Sequence, residues 1–179
     1  MKIFIGCSAN NEIPSIYKKE CEEYLTYLLK ENDLLFGACN GGIMGIAYNI
    51  ALSNKRKITG ISPDFYKDNL QRIQCDKVII TKTVAERTDA LIKESDILIF
   101  LPGGIGTLYE LLTCIESKRG SEFDKPIIIY NCNNYYDKFF EFIDIMQKEG
   151  FATKEVLSNF HVSDSLNDTI SYIKRRKKW

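Results

Sequence analysis

The sequence predicts an α/β protein: a Rossmann-like, doubly wound, mostly parallel sheet of about seven strands with helices on both faces. Three observations carry that reading. Short β-branched runs alternate with helically periodic stretches along the whole chain. Runs such as Ile97-Leu98-Ile99-Phe100-Leu101 and Ile127-Ile128-Ile129 are apolar at every position, as strands covered by helices on both faces must be. A length of 179 residues with 45% hydrophobic content suits a single domain, residues 1–179, that buries its own core.

Taken in order, strands are expected over residues 2–7, 34–37, 57–62, 77–81, 96–101, 126–130 and 159–162. The helices between them are read from apolar stripes. Tyr17, Cys21, Tyr24 and Leu28 make the first, and Met44, Ala47, Tyr48, Ala51 and Leu52 the second. Val84, Thr88, Leu91 and Ser95 follow one face of a third helix, with Arg87 on its flank. Leu108, Leu111, Leu112 and Ile115 form another stripe, and Phe139, Phe142, Ile143 and Met146 the next. The first, second, fourth and fifth of these stripes are expected to be core. Residues 63–76 are the least regular stretch and read as a long loop or short extra helix, on the strand edge where such folds bind ligands.

Composition excludes several classes. Lys+Arg and Asp+Glu both number 24, so the chain has no net field to attract nucleic acid or an anionic membrane. No apolar run approaches the ~20 residues of a membrane span, and the opening six residues are too short for a signal peptide. The six cysteines contain no CxxC pair, so reduced thiols in a cytoplasm are expected. With His161 the only histidine, no metal site or cofactor is implied. The basic tail from Lys174 to Lys178 reads as a solvated helix end whose cations complement the dipole.

Two glycine clusters stand at strand-to-helix junctions. One is Gly37-Ala38-Cys39-Asn40-Gly41-Gly42-Ile43-Met44-Gly45; the other is Pro102-Gly103-Gly104-Ile105-Gly106-Thr107. Glycine permits positive φ and close approach, and the following helix N-terminus offers N–H groups to an anion. Neither cluster is a GxGxxG or GxxxxGK[ST] fingerprint, so a mononucleotide or sugar phosphate fits better than a dinucleotide or triphosphate. Glu110 lies three residues after Thr107 and spells a capping box, as Glu86 does after Thr83. Arg87 is placed to point at the strand C-terminal edge, or to pair with Glu86, Asp89 or Glu94.

Pro102-Gly103-Gly104-Ile105-Gly106-Thr107-Leu108-Tyr109-Glu110 resembles the PGGxGTxxE motif of the Lonely Guy family, long labelled lysine decarboxylase-like. Gly41-Gly42-Ile43-Met44-Gly45 resembles that family's GxMG loop, and Gly6-Cys7-Ser8 its first-strand turn. The resemblance implies a nucleoside 5′-monophosphate phosphoribohydrolase, in some members specific for cytokinin ribotides, working as a homodimer. It nominates Glu110 as the carboxylate facing an oxocarbenium and Arg87 as a clamp. Ser8, Gly41, Gly42, Met44, Gly45 and residues 103–107 would hold substrate and phosphate. Three departures stand out: Val84-Ala85-Glu86-Arg87-Thr88 for the family's Met-His-x-Arg-Lys, Gly37-Ala38-Cys39 for three glycines, and Glu116-Ser117 for Thr-Trp. No lysine is marked as a Schiff-base former, so pyridoxal chemistry is not expected. A non-catalytic carrier of a phosphorylated ligand is the alternative, and a DNA-processing module a weaker one given the zero charge.

Overall fold

A computed structural model describes residues 1–176. Seven strands form one parallel sheet: β1 (Lys2–Gly6), β2 (Asp33–Phe36), β3 (Ile58–Pro63), β4 (Lys77–Thr81), β5 (Ile97–Phe100), β6 (Ile127–Tyr130) and β7 (His161–Ser163). Each lies within two residues of its expected position. They pair in the order β4-β3-β2-β1-β5-β6-β7, every neighbour parallel. Between them run α1 (Ser15–Leu28), α2 (Gly42–Ser53), α3 (Val84–Glu94), α4 (Ile105–Arg119), α5 (Asp137–Lys148) and α6 (Leu166–Arg176). The irregular stretch after β3 holds a 3-10 segment, Asp64–Arg72. Residues 177–178 of the basic tail lie outside the described residues.

Strand alternation sends neighbouring side chains to opposite faces. Ile3 and Ile5 of β1 join Tyr24 and Leu25 of α1 and Ala47 of α2 on one side. Phe4 joins Leu91 of α3, Leu111 of α4 and Ile143 of α5 on the other. Each layer buries the sheet face that its helices cover, which is why the central strands carry no polar face.

The stripes expected to be core are so with three corrections. Leu52, Leu112 and Phe142 are exposed, at 46%, 50% and 56%. They sit at the border of their stripes, where the helix turns away from the sheet.

Candidate active site

The chain steps from β1 through β2 and β3 to β4 on one side, then restarts at β5 on the other. The turns leaving β1 and β5 therefore diverge and open a crevice at the strand C-terminal ends, the usual ligand site of such sheets. Two hydrogen bonds hold its floor: Leu101 N–H donates to Gly6 O at 2.9 Å, and Ser8 N–H to Pro102 O at 3.0 Å. A cleft of about 370 Å³ opens here, large enough for a small ligand. Its wall is contributed strand by strand: Ser8 after β1, Gly37 and Cys39 after β2, Tyr66 after β3, and Gly104 and Gly106 after β5.

Glu110 and Arg87 meet at the bottom. Arg87, in the first turn of α3, donates from Nη2 to Glu110 Oε1 at 2.6 Å, across 23 residues of sequence. Arg87 thus pairs with none of its local candidates Glu86, Asp89 and Glu94, because the α3 and α4 N-termini converge over the same strand ends. A Cβ on Gly37 would lie 2.5 Å from Arg87 Nη2, so any other residue there would make the guanidinium shift. Glu110 is 5% exposed. Burial pushes its carboxyl above the ordinary carboxylate range, and the Arg87 charge draws it part of the way back. The adjoining Cys7 thiol is pushed up by burial, with the Glu110 charge adding to the shift, so it stays neutral. Arg87 Nε is buried without a hydrogen-bond partner.

The capping-box reading of Glu110 is corrected. The N-cap of α4 is Gly104, three residues before Thr107, so Glu110 lies in the second turn with its carboxylate on Arg87. The reading of Thr83 and Glu86 is half right. Thr83 Oγ1 accepts from Glu86 N–H at 3.1 Å, but Glu86 reaches Lys82 N–H instead of closing the box.

The two glycine clusters have separate fates. Gly104 and Gly106 are exposed and line the cleft, and a Cβ at either meets nothing within 4 Å. No side chain caps α4, and the N–H groups of Ile105, Gly106 and Thr107 precede its first intrahelical bond, Leu108 N–H to Gly104 O, with Gly104, Gly106 and Thr107 lining the cleft. Gly103 is buried beneath, where a Cβ would strike the Thr107 hydroxyl. In the first cluster Gly37, Cys39 and Met44 reach the cleft, and the glycines at 41, 42 and 45 do not. Gly42 N–H donates to Asn11 Oδ1 at 2.8 Å and Met44 N–H to Ser8 O at 3.1 Å. Gly41, Gly42 and Gly45 are buried, and Cβ atoms there would strike the backbone of Ala9, Asn10 and Asn40. The α2 N-terminus is thereby closed by the protein's own groups. Ala38, buried at 1% exposure, holds φ +60°, which explains why glycine serves well there; its methyl lies beside Gly60 of β3.

Sequence reasoning missed Asn11, Cys39 and Tyr66. Asn11 carried no local signal, since its role is a cap on a helix 31 residues away. Tyr66 had one: it stands in the irregular 63–76 stretch that was expected at the ligand edge.

A protein-family model described as "Possible lysine decarboxylase" matches residues 44–173. The cytokinin riboside 5′-monophosphate phosphoribohydrolase LOG1 of Arabidopsis thaliana is 34% identical over 155 residues, covering 84% of this chain and 71% of that protein. The probable cytokinin riboside 5′-monophosphate phosphoribohydrolase LOG6 of the same plant is 32% identical, covering 83% and 75%. Among solved structures, the molybdenum cofactor carrier protein of Chlamydomonas reinhardtii superposes with a TM-score of 0.68 at 19% identity, covering 97% and 96%; that likeness concerns the fold alone. Fold and site define a Rossmann-like protein with its cleft at the sheet's switch point. The chain belongs to the Lonely Guy family, whose model carries the older decarboxylase label. That label implies pyridoxal phosphate, and the residues do not fit it. No lysine is among the cleft's described lining residues, and the buried Lys118 donates instead to Lys125 O at 2.8 Å.

Proposed function

We propose that this chain is a nucleoside 5′-monophosphate phosphoribohydrolase, which hydrolyses the N-glycosidic bond to release a free base and ribose 5-phosphate. One observation carries the reading: a buried carboxylate, paired with an arginine, sits one helical turn beyond an uncapped helix N-terminus. The 5′-phosphate would rest on the N–H groups at the start of α4, where the dipole favours an anion. Glu110 lies four residues past Gly106, about 6 Å along the axis, a reach that sets it against the ribose. As the C1′–N bond breaks, both its electrons leave with the base and positive charge grows on the sugar. The Glu110 carboxylate stabilises that charge and orients the water that adds to C1′; the base nitrogen takes up a proton. The Arg87 charge favours the ionised form of Glu110 against its burial, and its remaining donors are offered to ribose hydroxyls or phosphate. A carrier would need neither Glu110 nor Arg87.

The test is a panel of nucleoside 5′-monophosphates followed by chromatography for free base. AMP or another monophosphate is expected to yield base, with the free nucleoside a far poorer substrate because phosphate binding is used at the reacting centre. Equal kcat/KM for AMP and adenosine would overturn phosphate anchoring, and no activity on any monophosphate would favour a carrier.

The same reading has the chain working as a single domain and as a homodimer in a reducing cytoplasm. Its six cysteines are free thiols, and among the described residues no helix is long and apolar enough to cross a membrane. Supporting a dimer, Ile105, Tyr109 and Leu112 of α4 are 83%, 40% and 50% exposed and run toward Phe151, itself 86% exposed. Such an apolar face is suited to pairing. Light scattering at micromolar concentration should give twice the chain mass; a monomer would remove the claim.

A further inference from the structure

The four loops around the cleft come from neighbouring strands in the order β5, β1, β2, β3. At about 4.8 Å per strand, they span about 14 Å across the sheet. The open α4 N-terminus stands at the β5 end, and Arg87 with Glu110 stands over the middle, above Gly37 of the β2 loop. What remains at the far end is Tyr66, after β3. Among the described residues it is the sole aromatic side chain lining the cleft. It is 53% exposed, on a 3-10 segment outside both cores, and Phe65 packs edge-on against its ring at 4.7 Å and 61°. An aromatic ring left half in water at a cleft wall presents an unused π face, and Phe65 limits the orientations it takes.

We infer that Tyr66 is the platform on which the base of the bound nucleotide stacks, and so the residue that sets tolerance among bases. The inference rests on the nucleotide reading above. With phosphate at the β5 loop and C1′ at Glu110, the base extends toward the β3 loop and meets that ring. Stacking reads a π face and no hydrogen-bond pattern, so purines should gain more than pyrimidines and modified purines should be accepted. Because the contact exists before and during bond cleavage, it acts on KM more than on kcat.

The test compares the full chain carrying Tyr66, Tyr66→Ala or Tyr66→Phe. Calorimetric titrations use AMP and ribose 5-phosphate in a Glu110→Gln background, which slows turnover; adenine release is measured with Glu110 intact. Tyr66→Ala should weaken AMP binding by roughly five- to a hundredfold and leave ribose 5-phosphate within about twofold. It should raise KM with little change in kcat, while Tyr66→Phe keeps wild-type behaviour. Unchanged AMP binding in Tyr66→Ala would overturn the inference, as would equal losses for AMP and ribose 5-phosphate, or a phenylalanine variant as weak as alanine. If AMP binds but the chain with Tyr66 and Glu110 intact releases no adenine, the hydrolase reading fails and the titrations still decide Tyr66. If no monophosphate binds, both fall.

Discussion

The two glycine-rich junctions, residues 37–45 and 102–107, look alike in sequence and differ in what meets them. At the start of α2 the N–H groups of Gly42 and Met44 already hold Asn11 and Ser8, and the glycines are small because backbone presses on them. At the start of α4 nothing occupies the space a methyl would take at Gly104 or Gly106, and no side chain caps the helix. Glycine next to a helix N-terminus thus has two uses, to let protein approach protein or to let a ligand approach protein. What separates them is whether the amides are already spoken for.

If the α4 junction is the reacting end, the largest effect belongs to Glu110, one turn beyond it. Glu110→Gln keeps size and hydrogen-bonding reach and removes the charge. Its kcat for base release should fall roughly a hundred- to thousandfold. A kcat within about threefold of wild type would make Glu110 a structural acid and strip the α4 junction of its chemistry.

The same methyl added at the two junctions should act in opposite directions. Gly42 holds φ +56°, and a Cβ there would lie 2.6 Å from Asn10 O, so Gly42→Ala should cost about 2–4 kcal/mol, read as a drop in Tm. Gly106→Ala should fold as well as wild type or gain up to about 1 kcal/mol of helix propensity. It should nevertheless bind monophosphates less tightly, since the methyl enters the space before the amides. A stable Gly42→Ala, or an unfolded Gly106→Ala, would erase the distinction.

The smallest effect is a pH limb. Burial raises Glu110 above its ordinary value of 4.5. If Glu110 acts as the proposed carboxylate, kcat/KM should fall as pH drops through the raised value, at higher pH than an exposed glutamate would give. The folded state binds its proton more tightly than the unfolded chain does. Stability from that proton is therefore present below 4.5 and lost as pH rises through the folded value. Thermal scans should show Glu110→Gln gaining on wild type across that window; an acid limb at the ordinary glutamate value would contradict the shift.

The fold was legible because its central strands are covered on both faces. β5 and β6 announce themselves as uninterrupted apolar runs, and all seven strands were found within two residues. The site was legible in part, through the motif that contains Glu110 and the helix flank that carries Arg87. Their contact was not, because local spacing offers Arg87 three nearer carboxylates and only the meeting of α3 with α4 selects the fourth. The capping box at Thr107 misled because the helix begins earlier, at Ile105, on a glycine cap that sequence pattern does not distinguish from a turn. Closure of the α2 junction was invisible for a related reason: its partners, Ser8, Ala9, Asn10 and Asn11, lie in the loop after β1, some thirty residues away.

Ala38 has a consequence of a different kind. A residue with a side chain held at φ +60° stores about 1–2 kcal/mol of conformational strain. Its methyl occupies the room that Gly60 leaves, and a Cβ on Gly60 would come within 3.1 Å of it and 3.0 Å of Cys75 Sγ. The two positions therefore share one side chain's worth of space between β2 and β3. A glycine at position 38 would relieve the strain and remove one of the two close contacts at position 60, leaving that with Cys75 Sγ. Along the family's descent the pair is expected to change together, a coupled substitution recorded in ancestry with no trace in the chemistry of the cleft.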